Sequence, residues 1–190
     1  MSDLVEAFDF IDELVKISPS VSSGMTALLD YCEAKNSDFG WSKIKNVDFA
    51  SDTQSLSNWL EQVLSIEPPS NKIKSFWFGI YNPVTNGKPS CQLYISGSTK
   101  KSSEPDWAVW AEDTYLPKHR YADSKVLSNI YSTLVENQAL GNWEYILCLG
   151  YAGLVVKSIW RAVGLEGFDV AVGFDEGDYI VLNSTKGRKE

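Results

Sequence analysis

Lys74-Ser-Phe-Trp-Phe-Gly-Ile-Tyr-Asn-Pro-Val-Thr-Asn-Gly-Lys-Pro-Ser-Cys-Gln-Leu-Tyr-Ile-Ser-Gly97 is the stretch that decides the fold. Phe76, Phe78 and Ile80 alternate with Ser75, Trp77, Gly79 and Tyr81. A Pro/Asn/Gly-rich nonamer then leads into Cys91-Gln92-Leu93-Tyr94-Ile95. Period-two placement of aromatic and β-branched residues around such a connection predicts a β-hairpin. Its first strand carries large groups on both faces, so it is expected inside a sheet covered on each side, with Trp77 on the second face and helices supplying the cover.

Working outward, the apolar residues before this hairpin recur at helical spacing. Leu4, Ala7, Phe8, Ile11, Leu14 and Val15 predict a first helix from Ser2, ending at Ser18-Pro19. Met25, Leu28, Leu29 and Cys32 form the stripe of a second, with Ser22 or Ser23 as its cap. Residues 36–49 read as a loop or a short edge strand. Ser51-Asp52-Thr53-Gln54 fits a capping box for a third helix bearing Leu56, Trp59, Leu60, Val63 and Leu64, stopped by Pro68-Pro69.

Beyond the hairpin, Asp106–Glu112 alternates as a third strand. Asp123 reads as the cap of a helix with Val126, Leu127, Ile130, Tyr131 and Leu134 on one face, ended by Gly141. Trp143–Leu147 reads as a strand and Leu149–Val163 as a buried helix, in which Gly150 and Gly153 permit close approach of a neighbour. Phe168, Val170, Val172 and Phe174 share one face of a second hairpin, turning at Asp175-Glu176-Gly177-Asp178 into Tyr179–Leu182. Helices bunched at the front, then strands with helices between them, predict an α+β fold: a mostly antiparallel sheet with three N-terminal helices and two further helices packed on it. Residues 1–184 are expected to form a single domain, with an acidic helical part (1–70), a sheet-containing part (71–184) and a flexible tail (185–190).

The net charge of −8 is unevenly spread. Residues 1–70 hold 12 Asp and Glu against 4 Lys and Arg, and the remainder holds 13 of each, so the whole excess belongs to the front of the chain. Like-charge repulsion argues against nucleic acid and anionic membrane as partners and favours a cationic one. The longest apolar run, Tyr145–Val156, has 12 residues, short of the roughly 20 a membrane-spanning helix needs. The acidic amino terminus lacks the pattern of a secretory signal, and the protein is expected in the cytoplasm.

Cys32, Cys91 and Cys148 are scattered, with no metal-ligand spacing, and read as buried reduced thiols. His119, the only histidine, is flanked by Lys118 and Arg120 in a polar connector and reads as a surface residue. No nucleotide-binding or nucleophile-elbow motif occurs, and no cofactor or catalytic residue is assigned. Two acidic groups are the candidate partner-binding residues: Glu6, Asp9, Asp12 and Glu13 on the polar arc of the first helix, and Asp175, Glu176 and Asp178 at the second hairpin's turn. Trp41, Trp107, Trp110 and Trp143 are candidates for a groove or an interface anchor.

Phe76-Trp77-Phe78-Gly79-Ile80-Tyr81-Asn82-Pro83, Tyr94-Ile95-Ser96-Gly97-Ser98 and Val172-Gly173-Phe174-Asp175-Glu176-Gly177-Asp178 are similar in style to the immunity proteins of bacterial contact-dependent and polymorphic toxin systems. The chain also resembles them in form: a small, acidic, aromatic-rich α+β protein. The resemblance implies a non-enzymatic inhibitor that binds a cognate toxin, blocking its active site or its assembly, with a basic nuclease as one such toxin. The alternatives are a small hydrolase-like enzyme with a site assembled from scattered residues, and a ligand-binding or regulatory module.

Overall fold

A computed structural model describes residues 2–85, 87–101, 114–175 and 177–183. At its centre is helix α6 (Asn142–Ile159), buried on nearly every side from Ile146 to Val156. A helix apolar all round cannot face water and must be enclosed. On one side of α6 lies a four-stranded sheet; on the other lie α1 (Ser2–Ile17), α2 (Val21–Lys35), α4 (Phe49–Ile66) and α5 (Lys125–Glu136), with the single turn α3 (Ser42–Lys45) against α5.

Both expected close approaches are present. A Cβ on Gly150 would sit 2.5 Å from Leu28 Cδ2, and one on Gly153 2.8 Å from Val15 Cγ2. The two glycines are where α2 and α1 reach the central helix.

The sheet order is β4-β1-β5-β6, from β1 (Ser75–Tyr81), β4 (Gln92–Ser98), β5 (Asp169–Phe174) and β6 (Tyr179–Asn183). Both expected hairpins form: β1 pairs antiparallel with β4, and β5 with β6. β1 and β5 run parallel, so the α+β sheet is mixed, with two antiparallel pairs and one parallel pair. The connector after β1 folds into a minor hairpin of β2 (Val84–Thr85) and β3 (Lys88–Pro89).

Alternation sorts the two faces of the sheet. Phe76, Phe78, Ile80, Leu93, Ile95, Val170, Val172 and Ile180 join the main core beneath α6. Trp77, Ala171 and Tyr94 form a separate small cluster on the opposite face. Trp77 is therefore on the second face, as expected, but the helices are not: among the described residues that face is covered by aromatic side chains of the sheet itself.

Several local expectations are corrected. Residues 36–49 form a 3-10 turn (Ser37–Phe39) and α3, not an edge strand, because Gly40 at φ +76° turns the chain and Trp41 and Ile44 plug inward. Trp143–Leu147 is the first part of α6 rather than a strand; a short apolar run has no periodicity to separate the two. Gly141, at φ +91°, lies just before α6, while α5 ends earlier, at Glu136. The helix caps also lie elsewhere: Ser20 caps α2 in a reciprocal pair with Ser23, Asp48 caps α4 by accepting from Ser51 N, and Ser124 caps α5 by accepting from Leu127 N. Asp106–Glu112, with Trp107 and Trp110, and the tail 185–190 lie outside the described residues. Among the described residues no helix is long and apolar enough to cross a membrane.

Candidate functional site

Three polar features compete for the role of site. The first is buried. Asp52, on α4 and only 4% exposed, accepts from Ser124 Oγ (2.7 Å), Lys125 N (2.8 Å) and Tyr151 Oη (2.6 Å). Gln92 extends the network, accepting from Ser124 N at 2.7 Å and donating to Ser128 Oγ at 2.8 Å. Burial, with the adjacent carboxylate, pushes the Tyr151 hydroxyl well above the usual phenol range. Ser124 is fully buried and commits its proton to Asp52 while its oxygen caps α5. This junction ties α4, α5, α6 and β4 together as a satisfied polar network.

The second feature is the acidic arc of α1. Glu6, Asp9 and Glu13 are exposed and Asp12 is half-buried. Two of the four are already paired: Glu6 with Lys35 at 2.9 Å and Asp12 with Lys16 one turn on. Among the described residues Asp9 and Glu13 have no ion-pair partner. Exposed pairs of this kind each contribute about 0–1 kcal/mol.

The third is the turn between β5 and β6. Asp175 Oδ1 accepts from Trp77 Nε1 (3.2 Å) and Tyr94 Oη (2.5 Å), and Asp178 Oδ2 accepts from Tyr145 Oη (2.7 Å). Glu144, beside Tyr145 at the start of α6, accepts from Asn82 Nδ2 (2.5 Å). Burial, then the hydrogen bond to carboxylate, raises the hydroxyls of Tyr94 and Tyr145 well above the usual phenol range. Both tyrosines are thus donors rather than bases. Glu144, Tyr145, Phe174 and Asp175, with Gly141 and Gly177, line an open cleft of ≈ 400 Å³. The Tyr145 and Phe174 rings stack along it, centroids 6.0 Å apart and planes within 17°. Glu176 lies outside the described residues.

Beside the turn, the face of the sheet that carries no helix among the described residues holds Tyr81, Tyr94 and Tyr121, mutually in contact with centroids 5.2–6.0 Å apart. Arg120 stacks on Tyr121 at 4.6 Å, and Tyr121 is 51% exposed. Tyr94 lies across its cross-strand partner Gly79: a Cβ there would fall 2.0 Å from Tyr94 Cε1. Glycine at 79 is what lets the ring lie flat and its hydroxyl reach Asp175.

The two expected acidic groups are not merged, but both elements meet the start of α6: Leu4 shares a cavity with Asn142, Trp143 and Ile146, while Asp175 and Gly177 share the cleft with Gly141, Glu144 and Tyr145. Trp41 is buried and meets the half-buried Trp143 edge-on at 5.4 Å, so this pair is core and its rim rather than a groove. His119 is exposed, and its carbonyl accepts from Trp59 Nε1 at 3.0 Å. The three cysteines are free and buried; a hydrogen bond with Cys91, together with burial, raises Cys148 well above the ordinary thiol value, and burial pushes Cys32 to about 12. Among the described residues no group of three or more His, Cys, Asp or Glu is placed to hold a metal ion.

Glu144, Tyr145, Tyr94, Tyr81 and Tyr121 were not candidates from the sequence. No spacing in the sequence marks them; the Gly79–Tyr94 pairing, like the contacts of the others, is set by the folded structure. Comparison of the chain with protein-family models, with curated proteins and with solved structures finds no match.

Proposed function

We propose that this chain is a binding protein that neutralises a cognate, positively charged bacterial toxin domain in the cytoplasm, acting by occlusion rather than turnover. The observation that carries the reading is the β5–β6 turn. Its carboxylates, Asp175 and Asp178, are held by neutral donors beside an open face of tyrosines. Aromatic anchors bordered by fixed charge are what a specific interface needs: the rings supply area at little entropic cost and the carboxylates supply register. The net charge of −8 adds steering, which raises association rates by about 10- to 10³-fold in favourable cases.

The test starts from the reading frame directly upstream, where a large secreted protein is expected, and co-produces the chain with that protein's carboxy-terminal domain. The chain is expected to co-purify with that domain and to protect growth. Lysine reversals at Glu6, Asp9, Asp12 and Glu13, or at Asp175, Glu176 and Asp178, should weaken capture and flatten its dependence on salt. Absence of both capture and protection, or turnover of a small substrate by the purified chain, overturns the reading.

A further inference from the structure

We propose that the cleft between the β5–β6 turn and the first turn of α6 is an arginine subsite, taking a guanidinium from a basic segment of the protein partner against the Tyr145–Phe174 rings and between Glu144 and Asp175. This inference rests on the partner-binding reading above and names the surface and the chemistry of contact.

Among the described residues the charge at the cleft is oriented but not neutralised. Asp175 is held by Trp77 and Tyr94, Asp178 by Tyr145, and Glu144 by Asn82, in every case through one carboxylate oxygen and in every case by an uncharged donor. Among the described residues no lysine or arginine pairs with any of the three. Five carboxylates elsewhere differ: Glu6, Asp12, Asp30, Glu33 and Glu136 each have a lysine of the same chain within salt-bridge distance. Among the described residues Asp9 and Glu13 on α1 share the unpaired state but line no cleft with stacked rings. Two fixed negative charges, Glu144 and Asp175, line the opening, with Asp178 bonded to the Tyr145 hydroxyl of its wall, and a cation seated there relieves their mutual repulsion. The ordering that normally offsets the gain from an exposed ion pair has already been met by the hydrogen bonds.

The walls select the kind of cation. A guanidinium is flat and weakly hydrated; it stacks on aromatic faces and binds carboxylate through two parallel N–H groups. An ammonium is a hydrated point charge that uses neither feature fully. The cleft offers both, with two near-parallel rings and two carboxylates on its lining. Its ≈ 400 Å³ suits one long side chain. Around it the exposed Tyr121 and half-buried Tyr81 and Tyr94 extend the contact on the sheet face, where aromatic residues serve as interface anchors.

The experiment titrates the full-length chain with hexa-arginine and hexa-lysine peptides at low ionic strength, by calorimetry and by amide chemical shifts. The arginine peptide is expected to bind about fivefold or more tightly than the lysine peptide, with shifts centred on residues 141–145 and 174–178. Glu144→Gln with Asp175→Asn, which keeps a carbonyl acceptor for Asn82, Trp77 and Tyr94, should weaken the arginine peptide by about tenfold. Removing two charges elsewhere, by Asp38→Asn with Glu61→Gln, should change it less than about twofold. If Asp175→Asn unfolds the chain, Glu144→Gln alone with Tyr145→Leu tests the same wall. Equal binding of the two peptides, shifts centred on α1, or indifference to the cleft variants each overturns the subsite. A cleft variant that loses the arginine peptide yet still protects against the toxin places the partner elsewhere and overturns the inference while leaving the binding function standing. An intact arginine subsite on a chain that captures no toxin does the reverse.

Discussion

Asp52 occupies a position that its neighbours mark as core. Phe49, Asp52, Leu56, Leu60 and Val63 are the buried residues of α4, at spacings of three and four, and one of the five is a carboxylate. Its three donors, Ser124 Oγ, Lys125 N and Tyr151 Oη, come from two other helices, so the side chain fixes where α5 begins relative to α4 and α6. Removing one partner from a buried network leaves the others desolvated without bonds. Asp52→Ala is therefore expected to destabilise the fold by about 3 kcal/mol, read as a lower urea midpoint at unchanged slope. A loss under about 1 kcal/mol would mean that water replaces the carboxylate without cost. The start of the same helix differs from the expected capping box. Ser-Asp-Thr-Gln has the letters of a capping box, yet Asp48, one turn earlier, takes the Ser51 N–H and starts the helix. An acidic residue on an apolar stripe was the available signal.

At the scale of elements, α6 organises the molecule because it touches α1, α2, α4, α5 and three strands. Its glycines set how closely. On Gly153 an added methyl would meet Val15 Cγ2 at 2.8 Å and Ile180 Cδ1 at 3.2 Å, pressing on both the α1 layer and the sheet. Valine has one favoured rotamer in a helix and cannot swing away. On Gly150 the nearest atom is the end of Leu28, which has more freedom. Alanine in place of glycine gains roughly 1 kcal/mol of helix propensity, against roughly 1–3 kcal/mol for overpacking. Gly153→Ala is thus expected to destabilise by about 1 kcal/mol net, with Gly150→Ala less harmful. Chemical denaturation of the two variants checks the order, and the reverse order would show that α2 rather than α1 is the tighter neighbour. Lys157 adds a polar tie between the same elements, donating to the carbonyls of Lys16 (2.7 Å) and Ser18 (3.0 Å) where α1 ends.

At the scale of the whole molecule, the fold holds a set of acidic hydrogens in place. Burial raises Cys32 from 9.0 to about 12 and Tyr115 from 10.0 to about 12, and Tyr94, Tyr145, Tyr151 and Cys148 are also raised. The sign follows from linkage. Below the unfolded values both states are protonated and stability is complete; above them the unfolded chain loses protons that the folded chain retains, so stability falls as pH rises. The melting temperature is expected to be level up to about pH 8.5 and to drop steadily from about 9 to 12. Cys32→Ala should soften the early part of that drop. A profile flat to pH 11 would place these groups in contact with solvent.

What the sequence determined by itself is the set of elements and their inward faces. Period two in Phe76–Ile80 and Phe168–Phe174, and period three and four in the helices, depend only on which residues water expels, and the hairpins, the apolar stripes and the close-approach glycines follow from that. What the tertiary structure alone decided is everything that depends on distance across the chain. It set the parallel pairing of β1 with β5, the continuity of α6 through an apolar run that fits strand and helix equally, and the gathering of Trp77, Tyr94, Glu144, Tyr145, Asp175 and Asp178 at one end of the molecule. The reason is physical: solvent exclusion acts residue by residue and leaves a periodic trace. A hydrogen bond between Trp77 and Asp175 needs only two groups brought within reach by the folded backbone, and it leaves no trace in spacing.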